Sequence, residues 1–202
     1  AWGFIQAGGY SGWDFWQYAP VGRMHIYPPV FHIILAFLIK LGISKIILAK
    51  FFETVMPVAF LIVVWNFIRK NYNDCLAFFV MLMLSSSFSF YLSLINHVPA
   101  TLAFIFGFLA YDNLFHKKLL RTLLLLALCF YTHIGISWLL TLSLLFYGLF
   151  NKQYRRLCSV VFISVFILSL PILLKQLSGI RFISSLGINL NEKYICQIKI
   201  ID

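Results

Sequence analysis

The sequence predicts an all-α fold: a polytopic transmembrane helical bundle of about six spans, with an external loop that carries a short surface helix. Three observations predict it. Of the 202 residues, 62% are hydrophobic and 11% charged, under half the charged fraction usual in soluble domains. Mean hydropathy is +0.93. Apolar runs recur along the chain, and lysine and arginine gather in every second loop between them, the pattern of the positive-inside rule.

Residues 1–27 are rich in glycine and aromatics, with Trp2, Tyr10, Trp13, Phe15, Trp16, Tyr18 and Tyr27. Rings with a polar edge favour the membrane–water interface, so the stretch reads as an interfacial loop or a substrate platform. The segment Arg23-Met24-His25-Ile26-Tyr27-Pro28-Pro29-Val30-Phe31-His32 then ends the loop and opens a helix. Proline in a first turn gives up no useful hydrogen bond, and its fixed φ favours the start. From Val30 to Leu41 only His32 and Lys40 are polar; with Ala36 they share one narrow face. Gly42 suits a stop and Ser44 a cap for the next helix. At about 20 Å the segment is shorter than the roughly 30 Å of hydrocarbon. It is expected at the membrane surface, or dipping in and returning.

Apolar runs follow at 45–68, 75–95, 98–115, 119–132, 134–150 and 157–174. Arg69-Lys70, then Lys117-Lys118 with Arg121, then Lys152 with Arg155-Arg156 are basic, whereas Asn96-His97-Val98-Pro99 and Thr132-His133 carry no lysine or arginine. The alternation places the 69–74, 116–121 and 151–156 loops in the cytoplasm. Residues 1–44, the turns at 96–99 and 132–133, and the tail after 175 share the opposite face. The run at 119–132 is too short to span upright. The Thr132-His133 turn is therefore expected below the outer surface, in preference to one overlong continuous helix. The domain plan is residues 1–44 as part of a first external loop with its surface helix at 30–41, a six-span bundle at 45–176, and 177–202 as an external loop or the start of a further part. The chain begins Ala-Trp-Gly, without methionine or a basic leader, and is expected to be a fragment lacking at least one N-terminal span.

The net charge of +10 lies in loops, with no basic patch interleaved with aromatics, so nucleic acid is not an expected partner. Cys75, Cys129, Cys158 and Cys196 form neither a disulfide framework nor a metal spacing.

Polar groups at membrane depth are costly unless satisfied or wet. His25, His32, His97 and His133 all fall on the non-cytoplasmic face in this topology, and His116 among the cytoplasmic cations. The four point to a polar chamber, against the plainer reading of helix caps and interfacial residues. Asp14, between Trp13 and Phe15, suits a general base, a metal ligand or a turn residue accepting backbone hydrogen bonds. Glu53 is an intramembrane carboxylate, functional or satisfied by Lys50 three residues earlier. Arg23 suits an anion such as a lipid phosphate, by its fork of donors, or simply meets headgroups. Hydrolase elbows, P-loops, dinucleotide fingerprints and HExxH are lacking.

Tyr27-Pro28-Pro29-Val30-Phe31-His32 with Ile33 to Leu41, the following stretch Ser44 to Lys70, Asn96-His97-Val98-Pro99-Ala100, and Tyr131-Thr132-His133 together resemble GT-C membrane glycosyltransferases over residues 10–156. The likeness is to the lipid-linked-sugar branch: protein mannosyltransferases, aminoarabinose transferase and oligosaccharyltransferase relatives, especially prokaryotic ones. It implies a multi-pass protein of the plasma membrane and transfer of a sugar from a polyprenyl-phosphate-linked donor to an acceptor protein or glycolipid on the non-cytoplasmic side. An acid early in the first external loop would activate the acceptor, and cations or a divalent metal ion would stabilise the leaving phosphate. Arg23, His25, Tyr27, His32, His97 and His133 would line the donor site. Two departures stand out. The family's leading acidic motif would precede Ala1, so Asp14 and Glu53 are weak substitutes. The turn at 96–100 has Val98, Ala100 and Thr101 where an acid is common. The fragment is not expected to turn over as it stands. The alternative function is non-enzymatic: a lipid or solute transporter, or a scaffold subunit of glycan assembly.

Overall fold

A computed structural model of the chain describes residues 1–14 and 23–198. Apart from one two-residue ladder they are helical or turn. Contacts divide the chain into two compact units, Pro28–Ser169, and Ala1–Tyr27 with Leu170–Asp202.

In the smaller unit, α1 (Trp2–Gln6) leads to β1 (Trp13–Asp14), which pairs antiparallel with β2 (Arg23–Met24), Trp13 opposite Met24 and Asp14 opposite Arg23. The ladder is the one departure from all-α among the described residues.

The larger unit opens with α2 (Val30–Lys40), whose N-cap is Pro29. Gly42 takes φ +88°, the left-handed stop that glycine tolerates. The 27-residue α3 (Lys45–Asn71) follows, with Pro57 inside it. Ser44 holds its N-cap position without a side-chain bond. Phe31 of α2 packs with Leu48 and Phe52 of α3 against Val98 and Leu102, tying the short helix to the bundle.

The expected run at 75–95 is not one rod. It is α4 (Asp74–Ser86) and α5 (Phe88–Asn96), bent by 79°. Ser87, extended at φ −90° and ψ 94°, accepts a bond from the Phe90 amide at 3.4 Å and caps α5. Short hydroxyl side chains compete with the helical ladder, and Ser86 bonds the Met83 carbonyl at 2.9 Å just before the break. Next come α6 (Val98–Phe115), α7 (Leu119–Phe130) and α8 (Ile134–Phe150). The last two are separate helices, as the Thr132-His133 turn requires.

Helix α9 runs from Arg155 to Ile198. The polar stretch after 177, expected as loop, continues the helix to Ile198. Glycines at 179 and 187 lower helix propensity by only about 1 kcal/mol each, and proline is absent beyond Pro171.

By length and composition three helices can cross a membrane, Lys45–Asn71, Val98–Phe115 and Arg155–Gly179, or four if the bent α4–α5 pair is one span. Val30–Lys40, Leu119–Phe130 and Ile134–Phe150 are apolar but shorter. The described residues are thus predominantly helical, and among them three to four segments are long and apolar enough to cross a membrane.

Polar groups inside the larger unit are locally satisfied. Buried Thr101 donates to the Leu94 carbonyl at 2.8 Å, linking α5 to α6. Buried Ser137 donates to the His133 carbonyl at 2.8 Å. Each bond spares the bundle an unsatisfied buried donor, which would cost about 1–3 kcal/mol.

Candidate functional site

Three helix N-termini lie at one end of the larger unit. The Val30 amide, first in α2, donates to the Tyr131 carbonyl at 2.9 Å. This bond fastens the proline-led helix to the turn between α7 and α8. Val98, at the start of α6, is buried against Phe31, so the Asn96-His97 turn joins them. His97 and His133 are the N-cap residues of α6 and α8. Aligned peptide dipoles give helix N-termini partial positive charge, and three of them favour an anion at this end.

The two imidazoles differ. His133 is half-buried, and its Nδ1 accepts the Ile136 amide at 3.3 Å, which requires the neutral ring with its proton on Nε2. Burial is the largest force lowering its pKa; a backbone hydrogen bond pulls the other way, and the charge of nearby His97 adds to the lowering. His97 is exposed, and its ring makes no hydrogen bond among the described residues. A neutral donor beside a free imidazole suits a phosphate or a sugar hydroxyl.

His32 lies in the first turn of α2, its ring 6.4 Å from that of Phe31. Glu53 is exposed, and the pair with Lys50 does not form among the described residues, where neither takes part in an ion pair. One residue earlier, Phe52 is buried against Phe31; successive helical residues diverge by about 100°, so Glu53 is turned away. In the smaller unit, His25 is 8% exposed and packs edge-on against Phe4, Tyr10 and Tyr27 at 5.1, 6.1 and 5.9 Å. Tyr27 is exposed. Asp14 and Arg23 face each other across the ladder in register, while their side chains lie outside the described residues.

The opposite end of the larger unit collects the basic loops. Lys70 bonds Asp112 at 2.8 Å, His116 Nδ1 meets the Asp112 carbonyl oxygen at 2.7 Å, and Tyr154 donates to the Phe115 carbonyl at 3.4 Å. Hence the 69–74, 116–121 and 151–156 loops share an end, and the 97 and 131–133 turns share the other.

The chain matches no family model, no curated protein and no solved structure. Nor do the described residues hold a group of three His, Cys, Asp or Glu able to bind a metal ion.

Sequence reasoning passed over two places. Lys175 places its Nζ 4.1 Å from the Tyr10 ring centroid, and Gln176 donates to the Ile26 carbonyl at 2.9 Å; the partners are over 140 residues apart, and the only local signal was a lysine closing an apolar run. The other is Asn66, a lone carboxamide inside the α3 run, visible as such in the sequence.

Proposed function

We propose that this chain is part of an integral membrane glycosyltransferase of the GT-C type, which moves a sugar from a polyprenyl-phosphate-linked donor to an acceptor on the non-cytoplasmic side. The observation that carries the reading is the Val30–Tyr131 bond. It joins the Tyr-Pro-Pro segment to the Tyr-Thr-His turn about a hundred residues later, beside His97. Three motifs that resemble the family's are thus neighbours in space, at the end remote from the basic loops.

In this reading the short α7 and α8 count with the longer helices as six spans, and the turn between them is the floor of a cavity. The donor phosphate sits against the helix N-termini, with His97 and His133 as hydrogen-bond partners. His32, in the first turn of α2, belongs to the same donor site. The leaving phosphate gains most from these groups as its charge develops, which is where fixed dipoles accelerate transfer.

A second reading rests on the 79° bend at Ser87. Discontinuous helices form the substrate sites of many transporters, and a solute transporter would place its site there.

A photoreactive polyprenyl-phosphate sugar, applied to membranes holding the complete gene product, separates the two. Crosslinks to α2 and the 131–133 turn, reduced about tenfold or more in the H97A/H133A double variant, are the expected result. Crosslinks confined to residues 84–90, or none that excess unlabelled donor removes, would refute the glycosyltransferase reading.

A further inference from the structure

A cleft lies between α3 and α6 near the ends that bear the basic loops. Val63, Asn66, Phe67 and Lys70 line it from α3, and Leu109 and Asp112 from α6. The α3 residues are spaced i, i+3, i+4 and i+7 and so form one stripe. Phe67 and Phe108, edge to face at 5.4 Å, make its floor apolar. At its mouth Lys70 Nζ donates to Asp112 Oδ2 at 2.8 Å, and Asn71 Nδ2 to Oδ1 at 3.1 Å.

Asn66 sets the problem. It is exposed in a helix long and apolar enough to cross the membrane, and its carboxamide makes no hydrogen bond among the described residues. A bare amide on the flank of a span is costly until something bonds it. It lies one turn, about 6 Å, further into the span than Lys70. A glycerophospholipid has its polar atoms in that order, phosphate outermost and ester carbonyls one step deeper.

We propose that the cleft binds a glycerophospholipid with a primary-ammonium headgroup. The phosphate accepts from Lys70, the ammonium donates to the Asp112 carboxylate, and the Asn66 carboxamide donates to an ester carbonyl. The acyl chains follow Val63 and Leu109. The headgroup choice comes from charge. Lys70 and Asp112 sum to zero, which matches a zwitterion, and the nearby Arg69 is already paired with Asp74 at 3.0 Å. Lys117, Lys118 and Arg121, which make no ion pair among the described residues, would by themselves attract acidic lipid, the competing occupant.

The purified full chain in detergent, titrated separately with phosphatidylethanolamine, phosphatidylcholine and phosphatidylglycerol and read by native mass spectrometry, tests this. One saturable ethanolamine lipid is expected, held about tenfold more tightly than the choline lipid, whose quaternary ammonium has no N–H for Asp112. N66L should weaken both lipids alike. D112N, in which the amide oxygen still accepts from Lys70, should erase the headgroup preference. Equal affinity for ethanolamine and choline lipids, preference for the glycerol lipid, or unchanged binding by N66L would each overturn the proposal. If D112N does not fold, the wild-type comparison and N66L decide it.

Discussion

His133 carries two roles in one ring, as the cap of α8 and as a wall of the candidate site. Its acceptor Nδ1 exists only while the ring is neutral, and burial keeps it so. Because its folded pKa is lowered, the unfolded chain binds the proton more readily. Stability is therefore full above roughly pH 6.5, the usual histidine value, and falls as pH drops below it. Thermal unfolding in detergent at pH 7.5 and 5.5 checks this. Wild type should lose stability across that window, and H133N, which preserves a capping oxygen, should lose less. Equal losses would remove His133 as the cause. H133A should cost about 1 kcal/mol at pH 7.5 through the missing cap. That His133 sits at a helix start was legible from its place between two apolar runs. Its nearness to His97 was only inferred from topology, since no local pattern brings two turns together.

At the scale of elements, local punctuation was readable and long-range packing was not. Pro28-Pro29 and Gly42 bound α2 within a residue of its predicted end, because proline fixes φ and glycine alone reaches the left-handed φ of the stop without strain. The bend at Ser87 escaped, because Phe88, Phe90, Leu92 and Leu94 continue the apolar run straight through it, and serine breaks a helix only when its hydroxyl finds a backbone partner. Likewise the loss of hydrophobicity after 177 signals a change of surroundings, not an end of hydrogen bonding. Helices α8 and α9 approach closely at Gly148, where an added Cβ would stand 2.6 Å from Cys158 Cβ. Small residues let membrane helices meet this closely. G148A should therefore separate α8 from α9 and destabilise the bundle by about 1–3 kcal/mol, seen as a lower unfolding temperature in detergent. A variant as stable as wild type would show that the contact yields cheaply.

Across the whole larger unit, the alternation of basic and uncharged loops becomes a separation of ends, through the Lys70–Asp112 and Tyr154–Phe115 bonds at one and the Val30–Tyr131 bond at the other. In a cysteine-free background, H97C should react with a membrane-impermeant thiol reagent from outside intact cells, and K118C only after the membrane is opened. Labelling of both from the same side would invert or abolish the topology. The sequence by itself determined the membrane class and most helix limits, because hydropathy, proline, glycine and loop charge act over a few residues. The tertiary structure alone decided which turns meet, that Glu53 turns away from the α2 contact, and that Asp112 pairs with Lys70. Those outcomes depend on packing between residues tens of positions apart, which no local preference encodes.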